Sequence, residues 1–357
     1  MESNKKVCPL LKDPSKYNPD TVDLINDLNE RSFWFKCLLE MVKNFIKRAG
    51  ILNPDNPEAK QIAEKCFHSF KSLIDQLHHD PTILNPLSIR TLLEFNERKL
   101  RENNFKDAWL HQKHKENEMA FTQFPHRIKQ IDNILDESLK WEQIAKGVLA
   151  GNMFDWGAKA VTDILEESKE FGLQQAMDTI QSRPWFKDTL DKWVFKIQTT
   201  PYKMTIIFVD NAGVDFVLGI LPFARELLKQ KTKVVLSSNS SPALNDITHI
   251  ELKQCLEKAS KHCQIIRDAL NSELLIAMEN GQDGPCLDLT KLDEDLCQLC
   301  NEADLVILEG MGRAVHTNLY AEFKVDSLKM AVLKNEWLAK SLGAEQFSVI
   351  FEYVPVS

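Results

Sequence analysis

The sequence predicts an α/β protein: a mainly parallel sheet flanked by helices, with a helical N-terminal subdomain. Two changes of pattern carry this expectation. Through the first 190 or so residues, apolar positions recur at three- and four-residue spacing, the period of a helix packed on one face. Beyond about residue 200, short apolar, β-branched runs alternate with helical stretches, as strands buried on both faces do. Length adds a third observation, because 357 residues exceed what most single cores support. The division expected is 1–195 for the helical part and 196–357 for an α/β part that binds metal and phosphate.

The helices expected in the first part cover 21–50, 57–78, 87–102, 105–121 and 127–149, with Pro54, Pro57, Pro81, Pro86 and Pro125 marking breaks. Gly50 reads as a helix C-cap. In the second part, strands are expected at 204–210, 233–239, 273–278, 304–310, 327–334 and 346–354. Helices are expected at 214–230, 247–260 and 291–302. Trp34, Trp109, Trp141, Trp185 and Trp193 lie in amphipathic surroundings and read as core. The charge-rich stretch 110–118 reads as an exposed helix face.

Composition narrows the function. Acidic residues outnumber basic ones, 52 to 44, which argues against a strongly basic nucleic-acid binder. No run reaches the 18 apolar residues of a membrane span, and the first 20 residues lack the apolar centre of a signal peptide. Eight cysteines spread through a long chain suit free thiols in a reducing cytoplasm better than a disulfide scaffold. Cys297 and Cys300 form one CxxC, with no second pair, inside a helical pattern. No P-loop, HExxH or GxSxG motif is present.

In open parallel sheets, ligands bind beyond the carboxyl ends of the strands. Those ends carry Asp210 and Asn211, then Asn239 with Asn245 and Asp246, then Glu309, Gly310, Gly312 and Arg313, and finally Lys334. Asp210, Asn211 and Asp246 offer hard oxygen ligands suited to magnesium or manganese. Arg313 and Lys334 could neutralise phosphate oxygens, with Gly310 and Gly312 letting backbone N–H groups approach. Each piece alone is also ordinary turn or cap chemistry. The segment 151–157 brackets Asn152 and Asp155 between glycines, either as a helix break or as a loop reaching the cleft.

Four stretches together, FVDNAGVDFVLGILPFARELL (208–228), LNDIT (244–248), DLVILEGMGRAVHTNLYAEF (304–323) and AGNMFDWG (150–157), closely resemble the metal-dependent damage-control phosphatases. The branch it is most similar to occurs alone in plants and fused behind a pantothenate-kinase-like domain in animals. LLEFNERKLRENNFKDAW (92–109) is similar to that branch too, so the resemblance runs from about residue 20 onward. It implies a divalent ion (Mg²⁺, Mn²⁺, Co²⁺ or Ni²⁺) on Asp210, Asn211 and Asp246. It implies substrate phosphate near Glu309 to Arg313 and Lys334, with Asn152 and Asp155 lining the cleft and Lys329 as a second lysine. The implied substrates are small phosphorylated metabolites, above all 4'-phosphopantetheine and its oxidised or sulfonated forms. No kinase domain precedes the phosphatase-like part, so kinase activity is not expected.

The expected reaction is hydrolysis of a phosphomonoester, with Asp246 or Glu309 handling the water, or with Asp210 itself as nucleophile. A homo-oligomer is possible; no nucleic-acid or membrane partner is expected. Segments 239–246 and 311–320 are candidate mobile loops by composition. Two other classes stay open. The strand–DNAG–helix run loosely resembles an S-adenosylmethionine loop, which would suit a carboxyl methyltransferase. A non-catalytic metabolite-binding module would keep the same cleft.

Overall fold

A computed structural model describes residues 5–52, 57–153 and 173–356. Helices come first: α1 (Leu28–Leu52), α2 (Ala59–His79), α3 (Ile89–Glu102), α4 (Leu110–Asp132), α5 (Glu137–Gly151) and α6 (Leu173–Thr179). The boundaries correct two expectations. Helix α4 runs through Pro125, whose neighbours Phe121, Phe124 and Arg127 are buried on either side, so tertiary packing overrides the proline's cost. Gly50 lies inside α1, where its bare Cα faces Lys60 and Ala63 of α2, rather than capping it.

The second half follows the alternating pattern. Its elements are β1 (Lys187–Asp188), α7 (Leu190–Thr199), β2 (Met204–Phe208), a π-helical turn (Asp215–Ile220) leading into α8 (Leu221–Lys229), and β3 (Lys233–Ser238). Then come α9 (His249–His262), α10 (Gln264–Asn271), β4 (Leu275–Glu279), α11 (Glu294–Cys300), β5 (Leu305–Glu309), a second π-helical turn (Gly312–His316), β6 (Asp326–Val332), α12 (Glu336–Ser341) and β7 (Val349–Val354). The seven strands order as β1-β7-β6-β5-β2-β3-β4, parallel throughout except β7 against β6. The fold is therefore α/β, with a mainly parallel sheet among many helices.

Alternation along each strand divides the core in two. On β2, Ile207 faces one apolar cluster with α5, α7 and α8. Its neighbours Ile206 and Phe208 face another, built with α1, α2, α3 and α11. Helices from residues 1–195 thus supply both faces of the sheet, and β1, from the same part, joins its edge beside β7. No disulfide joins the eight cysteines; Cys297 and Cys300 are buried on α11. Among the described residues, no helix is long and apolar enough to cross a membrane.

Successive strands leave β2 in opposite directions, β3 and β4 to one side, β5 and β6 to the other. That reversal opens a crevice beyond the carboxyl ends of β2 and β5, where parallel sheets bind ligands.

Candidate active site

Four neighbouring strands deliver one polar side chain each to this crevice. Lys334 follows β6, Glu309 ends β5, Asp210 follows β2 and Asn239 follows β3. The Asp210 backbone N–H donates to Glu309 Oε2 at 2.9 Å, coupling the two central strands beyond their ladder. Gly310 makes this possible. Its φ is +90°, and a Cβ there would fall 2.1 Å from Asp210 Oδ2, so only glycine lets the carboxylate lie against the β5 turn. The Gly310 N–H donates to Met330 in the sheet, so it serves the fold rather than a phosphate. Gly312 similarly abuts the Pro285 carbonyl, 2.1 Å from where a Cβ would sit.

Asn152, the residue after α5, reaches the same point from the helical half. Its Nδ2 donates to Glu309 Oε1 at 2.9 Å, Asp210 Oδ2 at 3.0 Å and Asp215 Oδ2 at 3.4 Å. Its carbonyl accepts from Lys334 Nζ at 2.5 Å. Glycines permit this reach: a Cβ on Gly151 would lie 2.8 Å from the Asp215 Cα, and one on Gly219 3.1 Å from Val148 Cα. Asp155, expected beside Asn152, lies outside the described residues.

Asp246 enters on the loop after β3. Its backbone bridges to Asn211, and the neighbouring Ile247 N–H donates to the Asp210 carbonyl at 3.0 Å. Capping does not explain Asp246: Thr248 caps α9, in a reciprocal box with Glu251. The Asp246 Oδ2 accepts instead from Arg313 Nη2 at 2.8 Å and Asn239 Nδ2 at 2.9 Å. Arg313 is fully buried, and its other terminal nitrogen donates to Asp210 Oδ1. The structure thus seats the guanidinium between Asp210 and Asp246, where the sequence had placed it on phosphate. Lys329 is not brought to this cluster. It lies mid-strand in β6, donating to the Leu319 and Ala321 carbonyls at 2.7 and 3.2 Å. Burial pushes its pKa down to about 8.

Asp215 is a site residue that the sequence reading passed over as part of a helix. Its Oδ2 accepts from the Asn211 N–H at 3.1 Å and Asn211 Nδ2 at 2.9 Å. Asp210, Asp215 and Glu309 are all buried, with oxygens within 4.8 Å of one another. Burial, then the Asp210 charge, pushes Asp215 up to about 7, against the pull of Asn211's donors. Burial and the charges of Asp215 and Asp210 raise Glu309 well above the usual carboxyl range. Two oxygens at this point, Asp215 Oδ1 and Asn152 Oδ1, are buried without a hydrogen-bond partner. Crowded carboxylates with orphaned oxygens are what a hard divalent cation satisfies, so the residues fit one.

Charge-rich α4 also departs from expectation. Lys113 is fully buried, bonded to Asp107 at 2.8 Å and Glu251 at 2.9 Å, and reaches the Asp246 carbonyl at 3.4 Å. Buried Asn117 accepts from the Gly213 N–H at 2.7 Å. The inner face of α4 therefore fastens both acidic loops. It also fills the space behind the DNAG turn, where a Cβ on Gly213 would lie 2.8 Å from Glu116. A cavity of about 540 Å³ opens onto Asp210, Asn211, Asp246 and Lys334 and extends along α1.

The chain is similar to known proteins along most of its length. Residues 35–350 match the profile of the damage-control phosphatase ARMT1-like domain. The chain is 39% identical to mouse (Mus musculus) 4'-phosphopantetheine phosphatase, over 97% of this chain and 48% of that protein. It is 34% identical to a damage-control phosphatase of Arabidopsis thaliana, covering 99% of this chain and 94% of that one. A rice (Oryza sativa subsp. japonica) relative named pantothenate kinase 2 is 36% identical, over 98% of this chain and 41% of its own length. The chain thus spans about half or less of the mouse and rice relatives, so a longer form, expected in animals, occurs in a plant as well. The crystal structure of a DUF89 family protein from Pyrococcus horikoshii shares the fold, with a TM-score of 0.62 at 16% identity, over 89% of this chain and 96% of that one.

Proposed function

This chain belongs to the damage-control phosphatase ARMT1-like domain family, and from that premise we propose that it hydrolyses phosphomonoesters of small metabolites with a divalent metal ion, 4'-phosphopantetheine being the first substrate to test. The observation that carries this reading is the buried set Asp210, Asp215 and Glu309, with Arg313 beside it and with Asp210 and Lys334 lining a cavity of about 540 Å³. Asp210, Asn211 and Asp246 would hold the ion, with Asp215 and Glu309 adjoining. Bound there, it would supply Lewis-acid polarisation of the phosphoryl group and a more acidic water.

The chain's own residues divide the remaining work. Lys334, fixed by the Asn152 carbonyl, offsets charge on the equatorial phosphoryl oxygens. Arg313 donates to both Asp210 and Asp246 and holds the two carboxylates in place. Asp246 lines the cavity and takes the role of orienting the attacking water and accepting its proton. Glu309 supports Asp210 by accepting from the Asp210 backbone N–H. Asp210 has donors on both oxygens, Arg313 on one and Asn152 and Asn211 on the other. With Asp210 given to the ion, we take water rather than Asp210 as the nucleophile.

The test is phosphate release from 4'-phosphopantetheine with and without Mg²⁺, Mn²⁺, Co²⁺ or Ni²⁺, for the wild type beside Asp210→Ala. Metal-dependent release that the variant loses is the expected result. Retained metal-dependent turnover in Asp210→Ala would overturn the site assignment. Metal binding without release from this ester or a generic aryl phosphate would make the protein a binding module.

A further inference from the structure

The cavity is much larger than a phosphate group needs; volumes of roughly 300–1,000 Å³ hold ligands of drug size. Its outer part is made by one face of α1, where Phe33, Trp34, Met41 and Phe45 recur at helical spacing, and by Trp337 of α12. Trp34 and Phe45 are buried, whereas Phe33 and Met41 are half-buried. Glu30 fixes this wall. Its Oε2 accepts from Trp34 Nε1 at 3.1 Å and from Trp337 Nε1 at 3.0 Å, joining two indoles from opposite ends of the chain. Phe33 stacks on Trp337 with centroids 4.4 Å apart. Two indoles held by one carboxylate, with a ring stacked on one of them, make a preorganised surface that gives little entropy away on binding.

We infer that the wall of Phe33, Trp34, Met41, Phe45 and Trp337, set by Glu30, is a subsite for the tail of the substrate, selecting phosphomonoesters whose phosphate ends a long chain of methyl, methylene and amide groups. The wall is continuous with the phosphate end, so one ligand spans both. Rings and a thioether bury apolar stretches, while Asn44 and Gln346 at the cavity lining offer amide partners. A polyhydroxylated tail such as a sugar would lose its water against indole and thioether without recovering its hydrogen bonds. Glu30 is a positioning residue in this arrangement. The inference rests on the phosphatase reading for the chemistry at the other end of the cavity.

The experiment uses the full chain and reads both ends separately. Steady-state kinetics with Mn²⁺ compare 4'-phosphopantetheine with glycerol 2-phosphate, for wild type, Trp337→Ala, Glu30→Ala and Glu30→Gln. Calorimetry measures binding of pantetheine, the tail without its phosphate. Trp337 is 39% exposed, so its truncation leaves the core intact. The expected result is a KM for 4'-phosphopantetheine raised about tenfold in Trp337→Ala and Glu30→Ala, with kcat and the glycerol 2-phosphate kinetics little changed. Glu30→Gln retains an acceptor oxygen and is expected to recover most of the loss. Equal losses on both substrates, or an unchanged KM for the long one, would overturn the subsite. Should wild type hydrolyse neither ester, the phosphatase reading fails on its own; pantetheine binding that Trp337→Ala weakens still supports the subsite, and absence of binding overturns it.

Discussion

Asp215 sits one turn beyond β2 with Asp210 and Glu309 inside 4.8 Å, so its charge opposes folding wherever no cation offsets it. Asp215→Asn keeps an acceptor for Asn211 and removes that repulsion. Without added metal, the variant is expected to melt higher by about 2 °C or more, whereas the gain in Tm on adding Mn²⁺ should shrink to roughly half. Thermal melts with and without metal check both directions, and an undiminished metal response would take Asp215 out of the site. Glu97 on α3 makes a different case. It is buried, accepts from the Leu244 N–H on the loop before Asp246, and is raised by burial from 4.5 to about 7. Asn96 and Arg101 pull it down, and Asp107 pushes it up. Between those two values the folded chain holds a proton that the unfolded chain has released. The contribution of Glu97 to stability is therefore greatest below 4.5 and is lost as pH rises through about 7, amounting to about 3 kcal/mol. Glu97→Gln should flatten that fall, as denaturant titrations at pH 5 and pH 8 would show.

Between α5 and the π-helical turn after β2, the contact is too close for side chains. Gly151→Ala would put a methyl 2.8 Å from the Asp215 backbone, forcing α5 outward and Asn152 with it. The expected cost is about 1–3 kcal/mol. Turnover should fall further than stability does, since Asn152 links three carboxylates to Lys334; assays well below the melting temperature separate the two. At this scale the sequence was informative where burial is two-sided. Strands β2, β3, β5 and β6 are buried along almost their whole length and centred on apolar runs because both faces are covered, and the polar residues at or just past their ends, Asp210, Asn239, Glu309 and Lys334, stood out against those runs. Elements too short to show a period were not legible: β1 has two residues, and α10 and α12 have eight and six. Lys113 was misread for a physical reason. A lysine in a charged helix looks solvated until the partners that desolvate it, Asp107 and Glu251, are known in space. Asp215 was hidden likewise, as an acid in the first turn of a helix is ordinary. Arg313 was read as a cation in the right place but for another partner.

Over the molecule as a whole, adjacent residues of single strands feed both cores, so neither can melt without exposing the sheet. Tryptophans report on each separately: Trp34 and Trp109 on one face, Trp141, Trp185 and Trp193 on the other. Variants with the tryptophans of one face replaced by phenylalanine are expected to show one fluorescence midpoint, coincident with their own far-UV circular dichroism. Two midpoints would mean that the faces unfold independently. The position of β7 has a consequence for how such a chain is made. Its residues 349–354 lie between β6 and β1, with Lys187 opposite Ile350, and its Phe351 and Tyr353 rings close on Trp193. As the chain leaves the ribosome, β2 to β6 can assemble and set Asp210, Glu309 and Lys334 in place, while β1 has no strand to pair with and, among the described residues, Trp193 of α7 meets only the rings of Trp141, Tyr202 and Phe223. A product of translation halted before residue 349 would carry the acids and the lysine yet lack the rings of Phe351 and Tyr353 that cover Trp185 and one side of Trp193.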